Sequence, residues 1–122
     1  MILTTQEQQH NLLVNAYHRE LEVYHYQVNI DNYTAMLGGL PTDEWPQHLE
    51  AYKTTPISEI PMTISETELQ TIADYQYRDQ IARLLRTEKV EQAKAKKVLE
   101  AIKTQITGDY ATMLAQYKAT QQ

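Results

Sequence analysis

The chain has 122 residues, 42% of them hydrophobic and 22% charged, a composition typical of a single globular domain. It contains no cysteine, which excludes disulfides, thiolate catalysis and cysteine-ligated metal sites. Its net charge of −5 argues against general nucleic-acid binding. The N-terminal segment MILTTQEQQH lacks the basic and apolar regions of a secretory signal, and no run approaches the ~20 apolar residues of a membrane span. We therefore expect a cytoplasmic protein that makes no membrane contact.

Glycine and proline, the residues that interrupt helices, divide the chain. All four prolines and two of the three glycines lie within 38–61, whereas 1–37 and 62–107 contain neither. This distribution predicts two long helical tracts joined by a structured connector over about 38–64, all within one domain spanning 1–122.

The two tracts each carry signals for their ends. The first predicts a helix over about 5–37, and we expect the pair Gly38-Gly39 to end it with a left-handed residue. The second predicts a helix over about 66–107. Ser65 and Glu68 have the spacing of a capping box, which marks its start.

Two shorter helical segments complete the pattern. Trp45, Leu49 and Tyr52 recur at i, i+4 and i+7 and predict a short helix over about 43–53. Beyond Gly108, apolar residues at helical spacing predict a terminal helix or a continuation over about 109–118. No segment alternates as a strand does. We therefore predict an all-α fold, an elongated antiparallel hairpin of two long helices, although an exchanged dimer would satisfy the same pattern.

The first long helix carries two apolar strips about a third of a turn apart. One strip contains Leu13, Tyr17, Leu21, Tyr24, Val28 and Ala35. The other contains Leu12, Ala16, Val23, Ile30 and Leu37. A hairpin partner covers only one strip, so the other is covered by the connector and C-terminal segment or by another chain. An elongated molecule with a thin core favours another chain, and we take the strip from Leu12 to Leu37 as the candidate protein interface.

The connector aromatics allow two interpretations. Trp45, with Leu49 and Tyr52, either anchors the connector onto the long helices or forms a hot spot for a partner protein, since Trp and Tyr dominate such patches. These three residues join the candidate interface.

A metal site is geometrically feasible on the first helix, where His18, Glu22 and His25 share one face. The same stripe is also the solvated polar face that a helix with two apolar strips must have, and we favour that interpretation. The Glu-x-x-His pairs of di-iron bundles lie on different helices, whereas both pairs here share one helix. We therefore expect no metal and no cofactor.

The second long helix carries Arg83, Arg86, Lys94 and Lys97 in one stripe. Residues 78–103 hold eight bases and four acids, a net +4, while the rest of the chain is −9. We interpret the stripe first as a solvated face and second as a site for an acidic protein patch, such as the −6 N-terminal half of another copy. Nucleic acid ranks last, because no aromatic residue is interleaved for stacking.

Catalytic motifs are missing from the sequence. Gly38-Gly39 does not continue into a phosphate-binding loop, and neither Ser58 nor Ser65 lies in a nucleophile-elbow context. We predict a non-enzymatic structural or assembly protein that acts through protein–protein contacts, with copies of itself or with a larger assembly. A virion or tail-associated component of a bacteriophage fits this description. The alternative is a small adaptor or inhibitor that binds a specific cellular protein.

Overall fold

The computed structural model describes residues 5–121, and every regular element in that range is helical. This confirms the all-α prediction. The helices are α1 (Thr5–Leu37), α2 (Glu66–Lys103) and α3 (Tyr110–Thr120), with two 3-10 helices, Gln47–Tyr52 and Ile57–Glu59, between α1 and α2. None of these described helices has the length and apolar character that crossing a membrane requires. The interpretation of the N-terminal segment falls partly on residues 1–4, which lie outside the described residues.

The chain folds into two compact units. One comprises Met1–Val28 with Glu88–Gln122, and the other comprises Asn29–Thr87. Both long helices contribute residues to both units, so we call the first the terminal unit and the second the connector unit.

The connector unit is built around an aromatic and aliphatic core. Its buried residues are Trp45, Leu49, Ile60, Ile72 and Tyr75, with Tyr52, Ile64 and Leu69 packed against them. The predicted short helix over about 43–53 is shorter than expected, because it begins only after Pro46. It is also a 3-10 helix. The amide of Leu49 donates to the Pro46 carbonyl over 2.9 Å, the i to i+3 pattern of that helix type. The short helix therefore brings Leu49 and Tyr52 to the same core as Trp45.

The start of α2 follows its sequence signal, whereas the end of α1 departs from the predicted one. The Ser65 hydroxyl accepts a hydrogen bond from the Glu68 amide over 3.2 Å and donates to the Glu68 carboxylate over 3.1 Å, which confirms the predicted start of α2. The left-handed end predicted at Gly38-Gly39 is wrong, because Gly108 is the glycine with positive φ among the described residues. Tightened turns close α1 instead, with the Gly38 amide 3.2 Å from the carbonyls of both Thr34 and Ala35.

The terminal unit pairs α1 with α2. Ala16, which is fully buried, packs with Leu99 and Ile106. Gln9 contacts Gln105, and Gln92 contacts Val23, so early residues of α1 meet late residues of α2. The two helical segments therefore run in opposite directions within this unit.

Gly108 turns the chain between α2 and α3. Its φ of 95° lies in the left-handed region, which glycine adopts without the steric cost of a Cβ. α2 ends at Lys103, a few residues before the predicted end near 107, and α3 packs against α1. The Tyr117 ring lies edge-on to the Tyr17 ring, with centroids 5.3 Å apart. The C-terminal segment is thus a separate helix and not a continuation of α2.

Candidate protein interface

The strip from Leu12 to Leu37 lies mostly against the chain itself. Ala16 is 0% exposed and Ile30 is 8% exposed, so both are core residues. Leu12 packs against the Ala16 cluster, while Val23 and Leu37 are half-buried. The five side chains nominated as interface therefore offer little free surface in this fold.

The connector aromatics act as an internal anchor. Trp45 is buried, and its indole N–H donates to Asp79 Oδ2 over 2.8 Å. Its ring packs on Tyr75, with centroids 5.2 Å apart, while Leu49 is 2% exposed. Tyr52 is half-buried against the same core. Of the two interpretations, these contacts support the anchor.

A charged cluster ties this anchor to α2. The Tyr75 hydroxyl donates to Asp43 Oδ1 over 2.7 Å, and this bond is the main cause that lowers the pKa of Asp43. Burial alone would raise the pKa of Asp79, but the hydrogen bonds from Trp45 and Arg78 outweigh it and lower that pKa. Arg78 also donates to the backbone carbonyl of Asp43 and lies over the Tyr75 ring.

The first apolar strip has the exposed surface that the second lacks. Its early members are covered, because Leu13 is buried and Tyr17 packs under α3. Leu21, Tyr24 and Val28 follow at i, i+3 and i+7 and are 39%, 62% and 37% exposed. They lie within about 60° around the α1 axis, so they form one apolar surface, which we call the Tyr24 ridge.

The cover provided by α3 stops just before the Tyr24 ridge. Glu20 accepts a hydrogen bond from the Tyr110 hydroxyl over 3.0 Å and pairs with Lys118 at 3.8 Å. Burial and the bond to Glu20 raise the pKa of Tyr110, so this hydroxyl stays protonated and remains a donor. The polar cluster at Glu20 thus borders the ridge on the side of α3.

The sequence held a signal for this ridge that the strip assignment missed. A helix of 11 residues is ~16 Å long, whereas α1 with 33 residues is ~50 Å long. Since α3 can cover only a fraction of one α1 strip, the rest of that strip is free wherever the connector does not reach it. Choosing the strip that faces α2 required knowledge of the rotation of α1, which the sequence pattern left open.

A buried polar contact fixes that rotation. Gln92 is 7% exposed, and its amide donates to Gln27 Oε1 over 2.9 Å and to the Val23 carbonyl over 3.2 Å. In the sequence, Gln92 is a polar residue on the same helix face as Ala95 and Leu99. In the structure it is a hydrogen-bonded part of the interface with α1, and it sets the register of the two helices.

The three residues of the stripe that was weighed as a metal site, His18, Glu22 and His25, make separate contacts. The Glu22 carboxylate pairs with Arg19 at 2.9 Å, while His18 and His25 are exposed and lie beside Tyr17 and Tyr24. Among residues 5–121, no group of three metal-binding side chains is gathered at one point.

The basic stripe of α2 is exposed along its length. Lys94 pairs with Glu91 at 3.3 Å, whereas Arg83 and Arg86 line a groove of the connector unit.

No protein-family model, curated protein or solved structure matches the chain. The surfaces of this molecule are therefore the basis for proposing what it does.

Proposed function

We propose that the chain is a non-enzymatic helical assembly protein, built on antiparallel pairing of α1 and α2, that binds further copies of itself. The observation that carries the proposal is the Tyr24 ridge, an apolar surface whose three residues remain 37–62% exposed. Isolated exposed apolar residues are ordinary, but three in one line on one helix are a better match to a contact surface.

The chemistry of the ridge suits contact with an identical surface. Leu21 and Val28 supply aliphatic area, and Tyr24 adds a large ring with a polar tip, the residue type enriched in protein interfaces. In a two-fold dimer the same patch serves both partners, so an apolar ridge is automatically complementary to its copy. Burying both copies removes this area from water at about 25 cal/mol per Å².

Charge distribution also favours a second copy. The N-terminal half of the chain is −6, and residues 78–103 carry a net +4. An acidic face of one copy can therefore attract the basic face of another and guide their encounter, a contribution that salt weakens. The ridge contact itself is apolar and resists salt.

Paired charge substitutions test the ridge. We expect the double variant Leu21→Glu, Val28→Glu to lose self-association while it keeps the helical signal in circular dichroism, because both sites are already exposed to water. Val90→Glu is the matched control: it makes the same type of change at a residue that is 48% exposed on α2, outside the ridge. We expect its mass, measured by light scattering after size exclusion, to equal that of the unmodified chain.

A buried site separates assembly from folding. Ile30→Glu places a charge in the core and should unfold the chain, with loss of helical signal. If the ridge double variant unfolds in the same way, the ridge is core and the proposal is wrong. If the unmodified chain, the ridge double variant and Val90→Glu are all monomers, self-assembly is refuted and the second candidate, an adaptor or inhibitor for a different protein, takes its place.

A further inference from the structure

The connector unit contains a groove between α2 and the segment after the 3-10 helix Gln47–Tyr52. Its main cavity has a volume of about 400 Å³ and adjoins a second of about 280 Å³. Basic and uncharged polar side chains dominate the lining: Lys53, Thr54, Thr55, Gln80, Arg83 and Arg86. We call this site the basic groove.

Three positive charges of the basic groove make no direct contact with a protein acceptor, although Lys53 lies near enough to Asp79 to help lower the pKa of that carboxyl group. Within residues 5–121, no hydrogen bond or ion pair engages the Lys53 ammonium or the guanidinium groups of Arg83 and Arg86. The carboxylate that lines the groove, Asp79, is occupied on both oxygens. Its Oδ2 accepts from Trp45 at 2.8 Å, and its Oδ1 accepts from Arg78 at 3.0 and 3.2 Å.

These arginines lack the usual compensation, because Asp79, four residues before Arg83, is held by Trp45 and Arg78. Elsewhere on α2, Lys94 and Lys103 each pair with a glutamate three residues earlier. Arg83 lies three residues before Arg86, which lies three before Lys89, so like charges repel one turn apart. Of this run, Arg83 and Arg86 line the cavity, and a bound anion would neutralise them.

The walls of the groove are held in place. The Gln76 amide donates to the carbonyls of Tyr52 and Thr55, over 2.9 and 2.7 Å, and so fixes the segment that carries Lys53 to α2. The Trp45–Asp79 bond fixes the preceding turn to the same helix. Because these contacts exist before any ligand binds, little ordering of the backbone is needed on binding.

We propose that the basic groove binds a small molecule through a phosphate or pyrophosphate group, a property separate from self-assembly. Two guanidinium forks and one ammonium present a charge that a single carboxylate would only partly neutralise, whereas a phosphate ester carries close to two negative charges and several acceptor oxygens. Thr54 and Gln80 offer uncharged hydrogen-bonding groups beside this charge. No aromatic ring is among the described residues that line the groove, so base stacking plays no part.

Calorimetric titration of the full chain with inorganic pyrophosphate tests the proposal, with sodium chloride at matched ionic strength as reference. We expect one saturable site per chain. Arg83→Gln and Arg86→Gln should each weaken binding by about tenfold, the effect of losing one charge-assisted contact. Lys97→Gln is the matched control, since it removes an exposed charge from the same helix outside the groove, and it should change affinity less than about twofold.

Three results would overturn the assignment. The first is the lack of saturable heat with pyrophosphate in the folded, unmodified chain. The second is an equal loss of affinity in Lys97→Gln and Arg83→Gln, which would show general attraction by the whole basic stripe. If a single-stranded oligonucleotide binds about 100-fold more tightly than pyrophosphate, with equal sensitivity to both variants, the ligand is a polyanion and the small-molecule site is likewise refuted.

Discussion

Trp45→Phe is the substitution that most sharply tests the anchor in the connector unit. It keeps an aromatic ring against Tyr75 but removes the indole N–H that donates to Asp79 over 2.8 Å. If Trp45 is an anchor, the cost falls on the free energy of unfolding. If it is a hot spot for a partner, the isolated chain keeps its stability.

The structure sets the size of this cost. A hydrogen bond to a charged group contributes about 1.5–3 kcal/mol, and the smaller ring forgoes about 1 kcal/mol of apolar burial. The Asp79 side chain is 25% exposed, so water can reach its vacated oxygen and reduce the first contribution. We therefore expect the free energy of unfolding to fall by about 2–3 kcal/mol, near the lower end of the sum of the two contributions.

Urea unfolding followed by far-UV circular dichroism measures this loss, because the variant no longer contains tryptophan. Asp79→Asn and the double variant complete a mutant cycle, for which we expect a coupling of about 1–2 kcal/mol. Tyr77→Phe is the control, since Tyr77 is 43% exposed on the same helix and its substitution should cost less than about 0.5 kcal/mol. A cost for Trp45→Phe no larger than that of the control, or a coupling of zero, would refute the anchor.

Two further predictions concern the backbone and pH. Gly108→Ala should destabilise the fold by about 1–2 kcal/mol, because alanine adopts a φ of 95° only at a steric cost. Lack of space is not the cause, since an added Cβ would lie 3.5 Å from Met113 Sδ, an ordinary contact. An unchanged melting temperature would contradict this. The carboxyl groups of Asp43 and Asp79 have lowered pKa values, so they stabilise the fold above their unfolded pKa of about 4, and stability should fall as pH drops below it. Urea midpoints from neutral to acidic pH measure the decline, and Asp79→Asn should flatten it; an equally steep decline in that variant would contradict the assignment.

Local signals in the sequence were sufficient for the helical elements. The freedom of 1–37 and 62–107 from glycine and proline predicts both long helices, and the Ser65–Glu68 box places the start of α2 at the correct residue. The same reasoning failed at Gly38-Gly39, because a helix can also end through tightened turns whose geometry needs no positive φ.

Contacts between distant segments decided what the sequence left open. Which strip of α1 stays free depends on Gln92, whose side-chain bonds to Val23 and Gln27 span more than sixty residues of sequence. The basic groove likewise depends on Trp45 occupying Asp79, since an isolated helix would let that carboxylate pair with Arg83 four residues on. The spacing of residues along a helix does not reveal which distant groups Gln92 and Asp79 bond in the fold.

The solution mass of the unmodified chain tests the central claim most directly, measured by light scattering after size exclusion at several concentrations and at low and high salt. We predict a defined oligomer of the 14.2 kDa chain that persists in high salt, because the Tyr24 ridge is apolar. A mass of 14.2 kDa at every concentration and both salt levels would contradict self-assembly through this ridge.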